Sequence, residues 1–487
     1  LLISPAATVE KECIRRLVTP LGLLYVAATL ERGGYEVSVL DSTCDGYENL
    51  VHDGDYVTYG LDDARLRDAI TAARPDAVGV SCSFSYQERR ALDLISLVKT
   101  IDRGIVTFTG GIHPSFLAEK MLRDCPALDY VILREGEFRT LELFDGLNRD
   151  GRPPAGTDGL AYRDGDRIEV RPAGTIIREI DSIPFPARHL VPMEKYIRTN
   201  KQANPFPRRA RVERIEASRG CPCDCYFCAG SHYFGRFRMR GVDNIIEELR
   251  RLKETYNIEE IHFSDDNMTA HRTRALELFR RMKEFGFTWC TPSGILMTTL
   301  NEEMVEAMAE SGCYQVTLSP ESGSQRVVDE IIRKPLKLSV VKPTVAMLQR
   351  HGIGVHSNFI VGNPGETREE ILRTFAFARE SGFDSAAFFI AVPYPGTPLY
   401  EQCLARGWLK DSYATADFKH VNIRIPPGEK EFIMPDEELV ALVERETREF
   451  NEWSKARNPE AWAKKYSLFL NSHEADDDSG KIMGRVV

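Results

Sequence analysis

The chain opens on a short apolar run, "LLIS" at Leu1–Ser4, and runs of the same kind return at intervals through the first 150 residues. "YEVSVLD", "DAVGVS", "IVTFTGG" and "YVILREGE" are nearly continuous in apolar or small residues. Between them, "LGLLYVAATLERGG", "ALDLISLVKT", "PSFLAEKML" and "FRTLELFDGL" space their apolar residues three and four apart. Continuous runs suit strands covered on both faces, and the intervening period suits helices, so the pattern predicts a parallel, doubly wound α/β sheet. Ligands of such sheets sit at the carboxyl ends of the strands. The turns placed there are "TPLG" (Thr19–Gly22), "SCSFSYQ" (Ser81–Gln87), "GGIHPS" (Gly110–Ser115) and "REGE" (Arg134–Glu137).

From Gly151 the texture changes to "GLAYRDGDRIEVRPAG", whose central Asp-Gly-Asp marks a hairpin. The prolines of "IDSIPFPARHL" then suit an extended linker. Alternation resumes from about residue 206. Strands are expected at "RVERIEAS", "EEIHFSD", "TWCTPSG", "YQVTLSP", "GVHSNFIVG" and "SAAFFIAV", with helices such as "NIIEELRRLKETY", "ALELFRRMKEF", "EEMVEAMAES" and "REEILRTFAFARES" between them. Six such units predict an open (β/α)6 barrel with its site at the strand ends. The division expected is therefore 1–150, a doubly wound domain; 151–205, hairpin and linker; 206–400, the partial barrel; and 401–487, a mainly helical region ending in the acidic "HEADDDSG".

Composition changes this picture little: 43% apolar and 28% charged residues are ordinary for a globular chain. A net charge of −10 argues against a general nucleic-acid binder. No window approaches twenty uninterrupted apolar residues and no basic-then-apolar leader opens the chain, so neither a membrane span nor a secretion signal is expected. The eleven cysteines, odd in number and irregular in spacing, suit a reducing cytoplasm better than a disulfide framework.

Four of them crowd into "RGCPCDCYFCAG" at Arg219–Gly230, directly after the first barrel strand. Cys221, Cys225 and Cys228 stand in C-x3-C-x2-C spacing. Structural zinc normally takes four closed ligands, and no second Cys or His pair follows at finger spacing, although His232 is close. Three thiolates on a short loop favour a 4Fe–4S cluster with one iron left without a protein ligand, over zinc or a structural role.

"SRGCPCDCYFC" resembles the signature of radical S-adenosylmethionine (SAM) enzymes, in which SAM chelates the open iron. The resemblance implies that Cys221, Cys225 and Cys228 hold the cluster and that Phe227 packs by the adenine; Cys223 stands where the motif leaves a free position. "LSPESGSQ" resembles the family's SAM-contacting strand, with Glu321 and Ser322 at its end. "FIVGNPGET" (Phe359–Thr367, including Gly362) resembles the motif lining the adenosine side, and "VPYPGTPLY" the sixth-strand turn. "FSDDNMT" puts Asp265, Asp266 and Asn267 at the end of the second strand, where Asp265 is a further candidate for SAM.

Upstream, G-x-G-x-x-G is absent after the first strand. "TPLGLLYVAATLERGGYEVSVLD" with "GG" and "REGE" resembles instead the cobalamin-binding domain fused to many radical SAM enzymes. That resemblance implies a cobalamin site formed by Pro20, Leu21, Gly22, Ser83, Phe84, Ser85, Tyr86, Gly110, Gly111, His113, Glu135, Gly136 and Glu137. None of the ten histidines lies in D-x-H-x-x-G, so cobalamin without a histidine lower ligand is implied. Ser83–Gln87 would then lie against that face, with Phe84 or Tyr86 covering it.

Both cofactors in this domain order resemble the cobalamin-dependent methyltransferases. There, one SAM supplies a methyl group through cobalamin, and a second is cleaved to the 5′-deoxyadenosyl radical that activates the substrate, using electrons from a flavodoxin or ferredoxin type of donor. "DGDYVTYGLDD", "IPFPARHLVPMEKY", "MAESGCYQVT" and "IIRKPLKL" resemble most the methyltransferases of the fosfomycin and phosphinothricin routes. That implies a small anionic phosphonate or phosphinate substrate, methylated on carbon or phosphorus, with Arg236, Arg238 and Arg240 as candidates to meet the anion. The alternatives are a cyclase or oxidative rearrangement enzyme with the same cofactors, and a cobalamin-binding sensor or carrier.

Overall fold

The computed structural model describes residues 1–11, 13–202, 204, 206–410, 421–460, 462 and 463. The acidic segment 473–480 and the end of the expected helical region lie outside the described residues. The chain divides into two compact units: the first comprises Leu1–Lys11, Leu17–Thr199 and Tyr233–Gly235, and the second is built mainly from Asn200–His232 and the chain from Arg236 onward.

In the first unit, strands β1 (Leu2–Ser4), β2 (Ala7–Glu10), β3 (Val39–Asp41), β4 (Leu50–Asp53), β5 (Tyr56–Tyr59), β6 (Ala77–Ser81), β7 (Val106–Gly110), β8 (Tyr130–Ile132), β9 (Leu160–Asp164) and β10 (Arg167–Arg171) alternate with helices. These helices are α1 (Leu21–Arg32), α2 (Ser42–Asp45), α3 (Asp63–Ala73), α4 (Glu88–Ile101), α5 (Ile112–Asp124), α6 (Glu137–Asp150) and α7 (Met193–Thr199). The main sheet runs β10-β9-β8-β7-β6-β1-β3, parallel from β8 to β3. Its strands read as continuous apolar runs because alternate residues feed two cores. Ile3, Val78, Val80 and Val131 pack with Leu94, Ile95 and Met121 on one side; Leu2, Phe108 and Ile132 pack with Ala27, Ala28 and Leu143 on the other. Order reverses between β1 and β6, the switch point at which such sheets bind ligands. The expected hairpin forms as β9–β10, and β9 pairs antiparallel with β8, extending this sheet. A second, three-stranded antiparallel sheet, β2-β5-β4, was not expected.

The second unit carries β11 (Val212–Ile215), β12 (Ser218–Arg219), β13 (Arg238–Met239), β14 (Glu260–Phe263), β15 (Thr288–Thr291), β16 (Cys313–Glu321), β17 (Gly354–Val361) and β18 (Ser385–Ile390). Its helices are α8 (Ala229–Phe234), α9 (Val242–Tyr256), α10 (Arg272–Met282), α11 (Glu302–Glu310), α12 (Val341–Arg350), α13 (Arg368–Ser381), α14 (Pro398–Arg406) and α15 (Asp436–Arg457). Strands β11-β14-β15-β16-β17-β18 pair in that order, all parallel, with β11 and β18 as open edges: a partial (β/α)6 barrel. Burial alternates along β17 and β18. Phe359 and Phe388 face the helices, stacking 5.3 Å apart, while His356, Asn358 and Ser385 stay half-buried on the other face. Sharp helix starts keep the strand ends clear: Thr367 and Glu370 form a reciprocal capping box on α13, and Thr397 caps α14 ahead of Pro398.

Candidate active site

The cysteine loop leaves β11 and is fixed by buried charge on both flanks. Asp265, at the end of β14, accepts from Ala217 N (2.9 Å) and Ser218 Oγ (2.5 Å), and burial raises its carboxyl to about 6. Arg274 donates to the carbonyls of Arg240 and Ala217. Arg240 donates to Glu216 O (2.7 Å) and to the buried Glu248 (2.5 Å). Asp265 and Arg240 are thus engaged by the scaffold, and Arg238, also buried, donates to Arg236 O. Arg236 stands exposed.

Within the loop, Cys223 and Cys225 are buried and Cys221 and Cys228 half-buried. Cys228 N donates to Cys225 O, 3.0 Å. A hydrogen bond between them raises Cys221 and lowers Cys223; burial raises Cys228 and pushes Cys225 up to about 12. Cysteine thiolates crowded on one short loop are soft ligands suited to a metal or an iron–sulfur cluster. The backbone of Tyr226 is bonded in both directions, its N–H to Ile332 O (3.1 Å) and its carbonyl from Leu399 N (3.2 Å). Phe227 packs, half-buried, against the cluster that includes Tyr226, Ala391 and Leu399.

The other strand-end residues lie at the carboxyl ends of β16 and β17. Glu321 takes a left-handed φ of +71° and pairs with Lys334 at 2.8 Å. Ser322 is fully buried, its hydroxyl 3.1 Å from Thr374 Oγ1. Gly362 has φ +79°. Close by in sequence, Glu366 accepts from Asn363 N, while its Oε1 and Asn363 Oδ1 are buried with no hydrogen-bond partner among the described residues; burial pushes the Glu366 carboxyl up to about 8.

Two interior groups were not among the expected site residues. Lys334 reaches the cysteine loop only through the fold. At the opposite strand ends, Glu260, His262 and Cys290 bring oxygen, nitrogen and sulfur within 4.8 Å of one another. Glu260 is already saturated there by His262 Nε2 (2.8 Å), Tyr314 Oη (2.6 Å) and the amides of Arg208 and Arg209. Against its own burial, Cys290 and Glu260 hold His262 up at about 10.

In the first unit the loop after β6 exposes Phe84 (54%) and Tyr86 (39%), stacked 5.4 Å apart at 7°. Gln87 Oε1 accepts from Ser83 N and Phe84 N. Beneath, Ser85 Oγ lies 3.0 Å from His113 Nδ1, and His113 Nε2 lies 2.5 Å from Glu88, which also accepts from Lys120. Against its burial, those two hydrogen bonds hold Glu88 down at about 2. Both nitrogens of His113 are therefore occupied. Gly110 ends β7; Gly111 has φ +124°, and a Cβ there would stand 2.5 Å from Cys82 O. Pro20 precedes α1, which begins with the buried Leu21 and then Gly22. Glu135 and Glu137 are buried, Glu135 accepting from Ile177 N (3.2 Å), and Gly136 caps α6.

Two family models match the chain, the B12 binding domain over residues 9–143 and the Radical SAM superfamily over residues 215–378. The chain is 36% identical over 484 residues to the cytidylyl-2-hydroxyethylphosphonate methyltransferase of Streptomyces wedmorensis, covering 93% of this chain and 89% of that one. The chain belongs to the cobalamin-dependent radical SAM methyltransferases. The methyltransferase is also similar to the anaerobic magnesium-protoporphyrin IX monomethyl ester cyclase of Rubrivivax gelatinosus, more distantly, at 26% identity over 84% of this chain and 69% of the relative. Its fold is that of the radical SAM methyltransferase TsrM from Kitasatospora setae: TM-score 0.65, 18% identity, 82% of this chain and 76% of that one. The cofactors of this family are a 4Fe–4S cluster, SAM and cobalamin. The donor set of the cysteine loop fits an iron–sulfur cluster, and an exposed aromatic pair at the switch point of a parallel sheet fits a flat macrocycle. Among the described residues no helix is long and apolar enough to cross a membrane.

Proposed function

We propose that this methyltransferase acts on a small anionic phosphonate or phosphinate intermediate of natural-product biosynthesis, methylating an unactivated carbon or a phosphinate phosphorus. The observation that carries this reading is the 36% identity, over 93% of the chain, to a methyltransferase named for a phosphonate. When bound, the cluster supplies the electron that cleaves SAM, and cobalamin carries the methyl group. Cys221, Cys225 and Cys228 would hold the cluster, leaving Cys223 outside the ligand set. Phe227, Glu321, Ser322 and Gly362 would contact SAM, and Asp265 would keep the loop backbone in place for it. In the cobalamin segment, 1–150, Ser83–Tyr86 would cover the lower face of the corrin, with no histidine on cobalt because both nitrogens of His113 are engaged. The turns Pro20–Gly22, Gly110–Gly111 and Glu135–Glu137 would shape the rim.

In the barrel segment, 206–400, the substrate would meet polar groups at the carboxyl ends of the strands. Of the three arginines after the cysteine loop, Arg236 is the exposed one, suited to a forked contact with phosphonyl oxygens. Electrons would come from an external flavodoxin or ferredoxin type of donor. Eleven free cysteines suit a reducing, cytoplasmic setting.

The test is anaerobic turnover with a panel of phosphonates and phosphinates, free and cytidylylated, using methyl-labelled SAM. A product heavier by one labelled methylene is expected. A product without label would favour the cyclase or rearrangement chemistry of the more distant relatives, and absence of 5′-deoxyadenosine under reducing conditions would favour a sensor or carrier.

A further inference from the structure

The segment Glu321–Lys334 is shaped at visible cost. Glu321 and Arg333 both hold left-handed φ values, +71° and +62°, which are unfavourable for residues other than glycine. Between them, Gly323 leaves no room for a side chain, since a Cβ would stand 2.7 Å from Arg373 O. Val327–Ile332 then forms a π-helical turn, a rare element. The result of these distortions is a single placement. Val327 and Ile332 pack against Cys223 and Cys225, Ile332 O accepts from Tyr226 N, and Lys334 is delivered to the same loop.

There Lys334 is nearly buried and donates to Ser319 O (2.5 Å) and Glu321 Oε1 (2.8 Å). Ile332, two residues earlier, packs with Cys223 and Cys225 and is tied to Tyr226, so the Lys334–Glu321 pair is held beside the cysteine loop. A carbonyl and a carboxylate would hold the ammonium equally well far from the thiols, so the pair itself does not explain the location.

We propose that Lys334 is a positioning residue whose charge makes the cluster on the cysteine loop easier to reduce, and that Glu321 opposes it. Reduction adds one electron to a site already surrounded by thiolates, and a nearby fixed cation stabilises that added charge. Burial keeps water from screening the effect. The carboxylate of Glu321 offsets part of it and fixes the direction of the ammonium. This inference rests on the assignment of Cys221, Cys225 and Cys228 as cluster ligands.

The experiment is an EPR-monitored dithionite titration of the anaerobically reconstituted full-length protein without SAM, alongside iron and sulfide content. Lys334→Met is expected to lower the reduction potential by about 59 mV, a tenfold fall in the reduced-to-oxidised ratio at fixed potential for one electron. Glu321→Gln is expected to raise it, the double variant to return toward wild type, and Lys334→Arg to stay there. A wild-type potential in Lys334→Met at full iron content would overturn the proposal. Where Lys334→Met loses its iron, an unshifted potential in Glu321→Gln overturns it instead. Cysteine variants that keep a full cluster would refute the ligand assignment, whatever Lys334 does. Cysteine variants that lose iron beside an unshifted Lys334→Met refute this inference alone.

Discussion

In the loop after β6, Phe84 and Tyr86 turn their rings outward; the loop backbone bonds to Gln87, and Ser85 rests on His113. In the loop after β11, Cys223 and Cys225 turn inward, and the flanks are held by buried charged groups, Asp265, Arg274 and the Arg240–Glu248 pair. Both loops stand at the carboxyl ends of parallel strands. They differ in what they must grip. A broad, flat cofactor would be met over much of its surface, and its binding spread over many atoms. A metal cluster is held by a few coordinate bonds whose geometry tolerates little movement, so the scaffold around it is ionic and rigid. Substitutions should therefore act abruptly in one loop and gradually in the other.

The largest effect is expected from Cys221→Ala, Cys225→Ala or Cys228→Ala. Each should abolish 5′-deoxyadenosine formation, followed by chromatography, and lower the iron content while cobalamin binding persists. Cys223→Ala should keep substantial turnover; complete loss there would mean that the extra thiol belongs to the ligand set. Next, Arg240→Met removes the cation of the buried pair with Glu248 and should cost about 3–5 kcal/mol in denaturant unfolding.

Glu366 gives a smaller, pH-dependent term. Its folded pKa of about 8 lies above that of a free carboxyl, so the folded state holds the extra proton between roughly pH 4.5 and 8. Stability should fall as pH rises through that window, by up to about 1.4 kcal/mol per unit, and Glu366→Gln should flatten the slope. The smallest effects belong to the aromatic pair. Phe84→Ala and Tyr86→Ala should each weaken cobalamin retention several-fold without abolishing it, as judged by absorbance after gel filtration. An abrupt loss from either would break the contrast between the two loops.

Much of this was legible in the sequence, for physical reasons that can be named. The parallel strands announce themselves because both faces are buried, and the cysteine spacing is local, so neither needs a long-range contact to be read. The sheet β2-β5-β4 was missed because β4 is exposed along its whole length and β2 lies far from its partner in sequence. Arg240 reads as a free cation beside the cysteine motif, yet Glu248, eight residues on, consumes its charge. Lys334 could not be found, because a left-handed residue and a π-helical turn decide where it points.

Tyr226 carries a consequence for biogenesis. Among the described residues, its amide and carbonyl pair with Ile332 and Leu399, both far downstream. While the chain is being made, the cysteines emerge from the ribosome long before the segments that shelter them. These two bonds at Tyr226 can form only once the chain has been made past residue 399.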